Sequence, residues 1–162
     1  MIIVGKIVKI FENSILSIQI ENKILLELNS FCQCSPCSFE SGGILMGKRL
    51  FDGNILITDI SFPQKSDIRK RTYFKKNSKL HQKISDEIWK KSNGNIVYLG
   101  EWHTHPEKIP TPSSVDLRGW TLSVKKQNDY KVYIFLIVGI KELGIWSYDL
   151  KNGLLEMKIL EG

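Results

Sequence analysis

The chain has 162 residues, of which 42% are hydrophobic and 25% are charged. This is the composition of an ordinary globular domain, and it excludes a disordered or fibrous protein. The longest apolar run, residues 132–138, is far shorter than the roughly 20 residues that cross a bilayer, so it predicts a buried strand. The N-terminal residues lack the basic-then-apolar order of a secretory signal. We therefore expect one cytoplasmic domain that makes no membrane contact.

The positive charge of the chain is concentrated in one segment. Lys and Arg number 23 against 17 Asp and Glu, which gives a net charge of +6. Residues 65–83 hold eight basic residues and one acid, Asp67, so this segment is +7 and the rest of the chain is −1. A local basic patch suggests an acidic macromolecular partner. A solvated face and a nucleic-acid partner are the alternative interpretations of the same patch.

The three cysteines, Cys32, Cys34 and Cys37, lie close together in the sequence. An odd count argues against a framework of disulfides. A structural zinc site usually needs four ligands, and no fourth cysteine or histidine lies nearby. We expect incidental, partly buried thiols, and leave a metal site and redox sensing open as alternatives.

The first half of the chain predicts strands and one helix. Two runs rich in β-branched residues, 2–11 and 14–18, predict a hairpin. Apolar residues at helical spacing between 22 and 33 predict a first helix, which Pro36 helps to end. Paired strands are then expected at 40–47 and 54–62, with a turn at Asp52-Gly53.

The second half mixes helices and strands without strict alternation. An apolar stripe formed by Leu80, Ile84, Ile88 and Trp89 predicts a second helix that ends near Asn93-Gly94. Further strands are expected at 95–102, near 130–140, at 143–149 and at 153–160, and a third helix at 114–126. This order favours an α+β fold over a doubly wound one. Trp102, Trp120 and Trp146 are expected in the core, and His81 is expected to be structural.

The residues from 103 to 116 carry the chemistry. His103 and His105 are two residues apart on a strand, so they point the same way and can share a metal ion. Asp116 adds a carboxylate after a loop long enough to fold back. Three protein ligands leave the fourth position of a zinc ion to water, which is typical of catalytic sites. The structural alternative is that the histidines bind no metal and that Ser113 caps a helix with Asp116 in its first turn, and the two interpretations are compatible.

Together, residues 40–47 (ESGGILMG), the run His103-Thr104-His105-Pro106 and the pair Ser113-x-x-Asp116 resemble the signature of the JAMM (JAB/MPN+) zinc metalloproteases. The resemblance implies a single JAB/MPN domain over 1–162, with a cytidine-deaminase-like mixed sheet flanked by helices. It also implies one Zn²⁺ held by His103, His105 and Asp116. Glu40 would then be the general acid/base that takes a proton from the attacking water and passes it to the leaving amine, and Ser113 would stabilise the oxyanion. Glu101, on the same strand face as the histidines, is the rival base.

Further residues narrow the resemblance, among them Asp67-x-Arg69-x-Arg71-x-x-Phe74 and residues 98–107 (YLGEWHTHPE). They are similar to the small stand-alone JAB proteins of type II CBASS antiphage operons. That similarity implies a deubiquitinase-like isopeptidase. Its substrate would be a cGAS-like nucleotidyltransferase whose extended, glycine-ended tail is joined to a target amine. Arg69, Arg71 and Lys75 would be the docking surface for the folded substrate.

Other functions stay open from the sequence. A JAB peptidase of another bacterial ubiquitin-like system would use the same residues. A non-catalytic MPN scaffold usually lacks one or more of the ligands, and all are present here. A nucleic-acid-associated JAB domain is supported by the basic patch alone. A cysteine protease would need one of the three clustered cysteines beside a histidine.

Overall fold

The structure is a computed structural model and describes residues 8–160. Its helices are α1 (Asn22–Ser30), α2 (Ser78–Lys91) and α3 (Ser114–Gln127). Its strands are β1 (Val8–Glu12), β2 (Ser17–Glu21), β3 (Gly42–Arg49), β4 (Ile55–Ile60), β5 (Ile68–Lys70), β6 (Tyr73–Lys75), β7 (Val97–Thr104), β8 (Tyr133–Val138), β9 (Leu143–Asp149), β10 (Gly153–Glu156) and β11 (Lys158–Ile159). None of the helices in this part of the chain is long and apolar enough to cross a membrane.

Nine of the strands form one mixed sheet in the order β10-β9-β8-β7-β3-β4-β2-β1-β11. The pairs β2–β4 and β7–β8 are parallel, and the others are antiparallel. The last predicted strand is divided in two, because β10 pairs with β9 and β11 pairs with β1 at the opposite edge. Met157, the residue between them, donates its N–H to the carbonyl of Ile145. The chain thus passes directly from one edge of the sheet to the other.

Both faces of the sheet are buried, and β8 shows this directly. All six residues of β8 are buried, as the apolar run predicts. Ile134, Leu136 and Val138 face the larger core. Tyr133, Phe135 and Ile137 face the smaller one. The alternation of side chains along a strand therefore divides the interior into two layers.

The helices cover these two faces. Ile24, Leu25 and Leu28 of α1 are buried in the larger core. On the other face, α3 buries Trp120, whose ring stacks on Phe135 with centroids 4.8 Å apart. All three tryptophans predicted for the core, Trp102, Trp120 and Trp146, are buried. The expected α+β class with a mixed sheet flanked by helices is confirmed.

Two of the predicted elements differ from the structure. The first hairpin forms between β1 and β2, while residues 2–7 of the predicted run lie outside the described residues. The second helix forms as predicted, but its apolar stripe is only partly covered: Ile84 and Ile88 are half-buried, whereas Leu80 and Trp89 are 38% and 51% exposed. The buried residues of α2 are His81 and Ser85. The helix therefore faces the sheet with polar side chains.

His81 is buried in a network of hydrogen bonds, as a structural role predicts. Its Nδ1 lies 2.6 Å from Ser61 Oγ and its Nε2 lies 2.9 Å from Asp67 Oδ2. Asp67 also accepts the backbone N–H groups of Gln64 and Asn77. Burial acts to raise the pKa of Asp67, but these hydrogen bonds outweigh it and lower the pKa. Asp67 thereby fixes both ends of the segment that contains β5 and β6.

The β5–β6 hairpin lies in the basic segment and was not predicted. Its strands have three residues each, and basic side chains interrupt any alternation of apolar and polar residues. Two strands this short are marginal alone, so contacts with the rest of the chain must hold the hairpin in place.

The cysteines also depart from expectation. Cys32 and Cys34 form a disulfide, with their Cα atoms 5.3 Å apart, and only Cys37 keeps an exposed free thiol. The prediction of three incidental thiols is therefore wrong for the first two. The chain turns directly after α1, and this turn brings two cysteines separated by one residue within bonding range.

Gly100 marks the closest approach of β7 to β8. Its φ of +150° is rarely adopted by residues with a side chain. A Cβ atom there would overlap the main chain of Ile134 on β8. The ladder between β3 and β7 shifts register at the same point, beside Leu45. A glycine is thus required where the sheet bends towards the strand end that carries His103.

We expect Gly100→Ala to destabilise the protein by about 1–3 kcal/mol, because the added methyl group must displace main chain. Gly119→Ala is the matched control. A Cβ at Gly119 meets no atom, and the residue lies within α3, so this change should stabilise by about 0.5–1 kcal/mol. Urea unfolding of both variants measures the difference. Equal stabilities would contradict this account of β7.

Candidate metal centre

Antiparallel pairing of β3 with β7 brings together residues that are distant in the sequence. Gly42 lies opposite His103 in this ladder. One residue further out, the N–H of Thr104 donates to the carbonyl of Ser41 at 2.9 Å. Continuing the same register places Glu40 opposite His105. Strand pairing therefore brings Glu40 close to His103, from which it is separated by 63 positions in the sequence.

The alternation of β7 points both histidines to the same side. The Nε2 atoms of His103 and His105 are 3.0 Å apart. Thr104 points to the opposite side, where its hydroxyl accepts the N–H of Ser41 and donates to Gln33. Both imidazoles are buried, so they are held in place by the layers around the sheet.

The start of α3 supplies the carboxylate. Ser113 caps the helix: its Oγ accepts the N–H of Asp116 at 3.1 Å, and Asp116 Oδ2 accepts the N–H of Ser113 at 2.8 Å. This reciprocal capping box fixes the rotamer of Asp116. Asp116 Oδ1 then lies 3.2 Å from His103 Nε2, and Oδ2 lies 3.2 Å from His105 Nε2. The capping interpretation of Ser113 and Asp116 is confirmed, and the same geometry leaves Asp116 facing both histidines, as a ligand role would require.

These three side chains fit a tetrahedral metal ion. Ligand atoms that lie about 2.0–2.1 Å from zinc are about 3.3 Å from one another. The two Nε2 atoms are 3.0 Å apart here, and each lies 3.2 Å from a different oxygen of Asp116, close to that spacing. Nitrogen and carboxylate donors are those that zinc takes in catalytic sites. The donor set is therefore compatible with a metal ion such as zinc.

Glu107 supports the metal centre, and the sequence analysis gave it no role. Its Oε1 lies 2.8 Å from His105 Nδ1. A carboxylate on this nitrogen accepts the Nδ1 proton in a hydrogen bond and orients the ring, so that Nε2 faces Asp116 and His103. The sequence offers one signal for this role: Glu107 lies two residues after His105, just beyond the end of β7.

Glu40 lies beside the histidines as a fourth polar group. Its carboxylate and the ring nitrogens of His103 and His105 all lie within 4.8 Å of one another. The Glu40 side chain is buried, and this burial, with the charge of Asp116, raises its pKa to about 7 despite the opposing effect of His105. A carboxyl group with this pKa is half protonated at neutral pH. Such a group can both accept and release a proton.

For Asp116 and His105, hydrogen bonds outweigh burial in setting the pKa, whereas for Glu40 burial dominates. Burial acts to raise the pKa of Asp116, but hydrogen bonds from His103 and His105 outweigh it and hold the pKa far below its usual range. Burial likewise acts to lower the pKa of His105, whereas its bonds to Asp116 and Glu107 raise it. Asp116 is therefore ionised at neutral pH.

The centre opens into a cleft of about 440 Å³. Its walls include Glu40, His105 and Asp116, together with the exposed Ser113. The opposite wall is made by residues 72–74 of the β5–β6 hairpin. The sequence-predicted site residues Glu40, His103, His105, Ser113 and Asp116 thus meet in one place.

Glu101, the rival base, lines a cavity of about 270 Å³ together with Glu40, His103 and Asp116. It is ion-paired with Lys76 and lies 3.4 Å from the hydroxyl of Ser123. Its position on the same face as the histidines agrees with strand alternation, yet it is not part of the group formed by Glu40, His103 and His105.

Comparison with known proteins decides the family. Residues 32–150 match the family described as prokaryotic homologs of the JAB domain. The chain belongs to this JAB family. Its relatives include two proteins named CD-NTase/cGAS isopeptidase. The one from Escherichia coli is 38% identical over 148 residues, which cover 91% of this chain and 90% of the relative. The one from Vibrio cholerae is 35% identical over 119 residues and covers 74% of each.

A solved structure has the same fold as this JAB domain. It is the solution structure of a protein from Desulfitobacterium hafniense, with a TM-score of 0.63 and 21% identity. The match covers 88% of this chain and 91% of the other. At this identity the likeness concerns the fold alone.

We expect Glu107→Gln to weaken zinc binding by about 10- to 100-fold, because His105 loses the carboxylate that orients its ring. Titration against a chromophoric chelator measures the affinity. Glu142→Gln is the control, since Glu142 is exposed and makes the same charge change. An affinity that stays within about twofold of the wild type would remove this role of Glu107.

Removing the carboxylate of Glu40 should alter how the stability of the metal-free protein depends on pH. The folded state holds the Glu40 proton up to about pH 7, whereas the usual pKa is 4.5. Between these values the folded state binds more protons, so the contribution of Glu40 to stability falls as pH rises. Glu40→Gln removes this loss. In chelator, its free energy of unfolding should therefore rise relative to the wild type between pH 4.5 and 7.5, and parallel curves would contradict the prediction.

Proposed function

We propose that this JAB domain is a zinc-dependent isopeptidase. It would cleave the bond after the C-terminal glycine of a protein joined to a target amine, and so reverse a ubiquitin-like conjugation. The conjugated protein would be a cGAS-like nucleotidyltransferase of a CBASS antiphage system, as the names of the relatives suggest. The observation that carries the proposal is the convergence of His103, His105, Asp116 and Glu40, three of which line one open cleft.

His103, His105 and Asp116 would hold the zinc ion. When bound there, zinc makes hydroxide available at neutral pH and polarises the scissile carbonyl. The chain itself contributes the rigidity of the ligands. The capping box fixes Asp116, and Glu107 fixes His105. Preorganised ligands leave less reorganisation for the reaction step.

Glu40 would move the proton. Its carboxylate oxygen accepts a proton from the attacking water and then donates it to the nitrogen of the departing amine, because an unprotonated amine leaves poorly. The raised pKa, about 7, suits both halves of this transfer. Burial of Glu40 also keeps bulk water from competing for the proton.

Ser113 would stabilise the oxyanion of the tetrahedral state. Its Oγ accepts the N–H of Asp116, so the hydroxyl hydrogen remains available to donate. The side chain is exposed at the cleft beside Asp116. Removal of one such donor typically costs a few kcal/mol of the activation barrier.

The substrate tail would lie along β6. Within the described residues β6 pairs only with β5, so its other edge offers main-chain groups. Thr72, Tyr73 and Phe74 line the cleft beside the metal centre. An extended tail can add to such an edge as a further strand. A tail that ends in glycine lets the two main chains approach closely.

Of the three residues expected to form a docking surface, Arg69, Arg71 and Lys75, two are bonded within the chain. Arg69 donates to Glu40 and Ser41, and Arg71 donates to the carbonyl of Pro36 at 2.5 Å. Both guanidinium groups therefore have partners within the chain. Lys75 is exposed on β6, so it remains the candidate of this set for contact with an acidic substrate.

The proposal is tested with an isopeptide in which the C-terminal glycine of such a nucleotidyltransferase is joined to a lysine side chain. The zinc-loaded protein should cleave it, a chelator should stop cleavage, and added zinc should restore it. Glu40→Gln should lower kcat by about 100- to 10,000-fold with the zinc content unchanged. Mass spectrometry of the products and metal analysis of each variant make the measurement.

Glu101→Gln is the control for the rival base, and it should keep kcat within a few-fold of the wild type. Loss of activity in Glu101→Gln alone would reassign the base. Zinc binding without cleavage of this conjugate would remove the proposed substrate. Cleavage of a different ubiquitin-like conjugate would then favour another conjugation system, and no cleavage at all would favour a scaffold.

A further inference from the structure

The position of the Glu40 carboxylate depends on the main chain of Glu40, which lies outside the large sheet. Residue 40 comes two residues before the first residue of β3. The ladder with β7 reaches Ser41, through the bond from Thr104 N–H to Ser41 O. Nothing in that ladder bonds the amide or the carbonyl of Glu40 itself. The direction of its side chain therefore depends on other contacts.

The β5–β6 hairpin supplies those contacts. The N–H of Glu40 donates to the carbonyl of Lys70 at 2.7 Å. The carbonyl of Glu40 accepts a hydrogen bond from Arg69 Nε at 3.0 Å. Arg69 Nη2 also donates to Ser41 Oγ at 2.6 Å. Both main-chain groups of Glu40 are thus bonded to adjacent residues of β5.

The fork of the Arg69 guanidinium makes this contact specific. Its donors reach two acceptors on consecutive residues, Glu40 and Ser41, which fixes the peptide between them in one orientation. A lysine offers a point charge and cannot reproduce this geometry. Phe74 adds a packing contact from β6, since a Cβ at Gly42 would meet its ring. The hairpin is therefore attached to the residues that lead from Glu40 into β3.

We propose that Arg69 is a positioning residue, which holds the main chain of Glu40 so that its carboxylate faces the histidines. This inference rests on the proposed function and deepens it. It assigns Arg69 to the reaction step and removes it from the substrate-docking surface. The two roles differ in what they change: docking acts on KM with the folded substrate, whereas positioning acts on kcat with any substrate.

The test compares Arg69→Ala with Lys70→Ala. Lys70 is the adjacent, exposed residue of the same charge, and only its main-chain carbonyl contacts Glu40. On a short glycine-ended isopeptide, Arg69→Ala should lower kcat by about 10- to 100-fold with KM within about threefold and zinc content unchanged. Lys70→Ala should leave both constants near those of the wild type.

A second readout does not depend on activity. Amide hydrogen exchange, followed by NMR in the metal-free and the zinc-loaded protein, should show at least tenfold faster exchange at Glu40 in Arg69→Ala. The amide of Met157, on the far side of the sheet, should be unchanged. If Arg69→Ala does not fold, as judged by thermal unfolding, Arg69→Lys serves instead. It should recover part of kcat and part of the protection.

Ser41→Ala adds a double-mutant cycle, because it removes one of the two acceptors of Arg69. The effects of Ser41→Ala and Arg69→Ala on kcat should be less than additive. Unchanged kcat and unchanged exchange at Glu40 in Arg69→Ala would overturn the inference, as would a rise in KM alone. A wild-type protein without activity would overturn the proposed function instead, and the exchange of Glu40 would still decide the role of Arg69.

Discussion

The pairing of β3 with β7 is the constraint on which the site depends. Residues that face each other in this ladder have numbers that add to a constant, from the pair of Leu45 and Gly100 to the pair of Gly42 and His103. The same register carries Glu40 to His105. Between Leu45 and Met46 the register shifts, so this constant sum holds only for the end of the ladder that bears the site. A slip by one residue would turn every side chain on this segment to the wrong face.

Helix α3 makes its first turn and the metal centre from the same atoms. Asp116 completes a capping box with Ser113 and also faces both histidines. A carboxylate at a helix start is favoured by the helix dipole, and this effect adds to its ionisation. Local contacts therefore fix the position of the Asp116 side chain without any ion. The carboxylate of Glu107 orients the ring of His105 through Nδ1. The geometry of the candidate metal centre thus follows from local structure.

Much of the fold and the site could be predicted because the signals are local or periodic. The apolar run of β8, the pair His103 and His105 and the cap at Ser113 each follow from a few adjacent residues. Resemblance to a known signature was needed for Glu40, since no local pattern connects it to residues 63 positions away. The apolar period of α2 predicted the helix itself but not its buried residues, His81 and Ser85, which are polar. The β5–β6 hairpin was missed because its short strands are rich in basic side chains and carry no hydrophobic period.

The division of the last strand has a consequence for synthesis. β11 completes the sheet by pairing with β1, so residues 158–159 join a strand that begins at residue 8. During translation β1 and β2 emerge from the ribosome long before β11, the strand that pairs with β1. The pairing of β11 with β1 cannot form until residue 159 has emerged. Pairing over so long a separation is slow, because the chain loses much entropy before the contact forms. The outer edge of β1 is thus left without its partner strand throughout elongation.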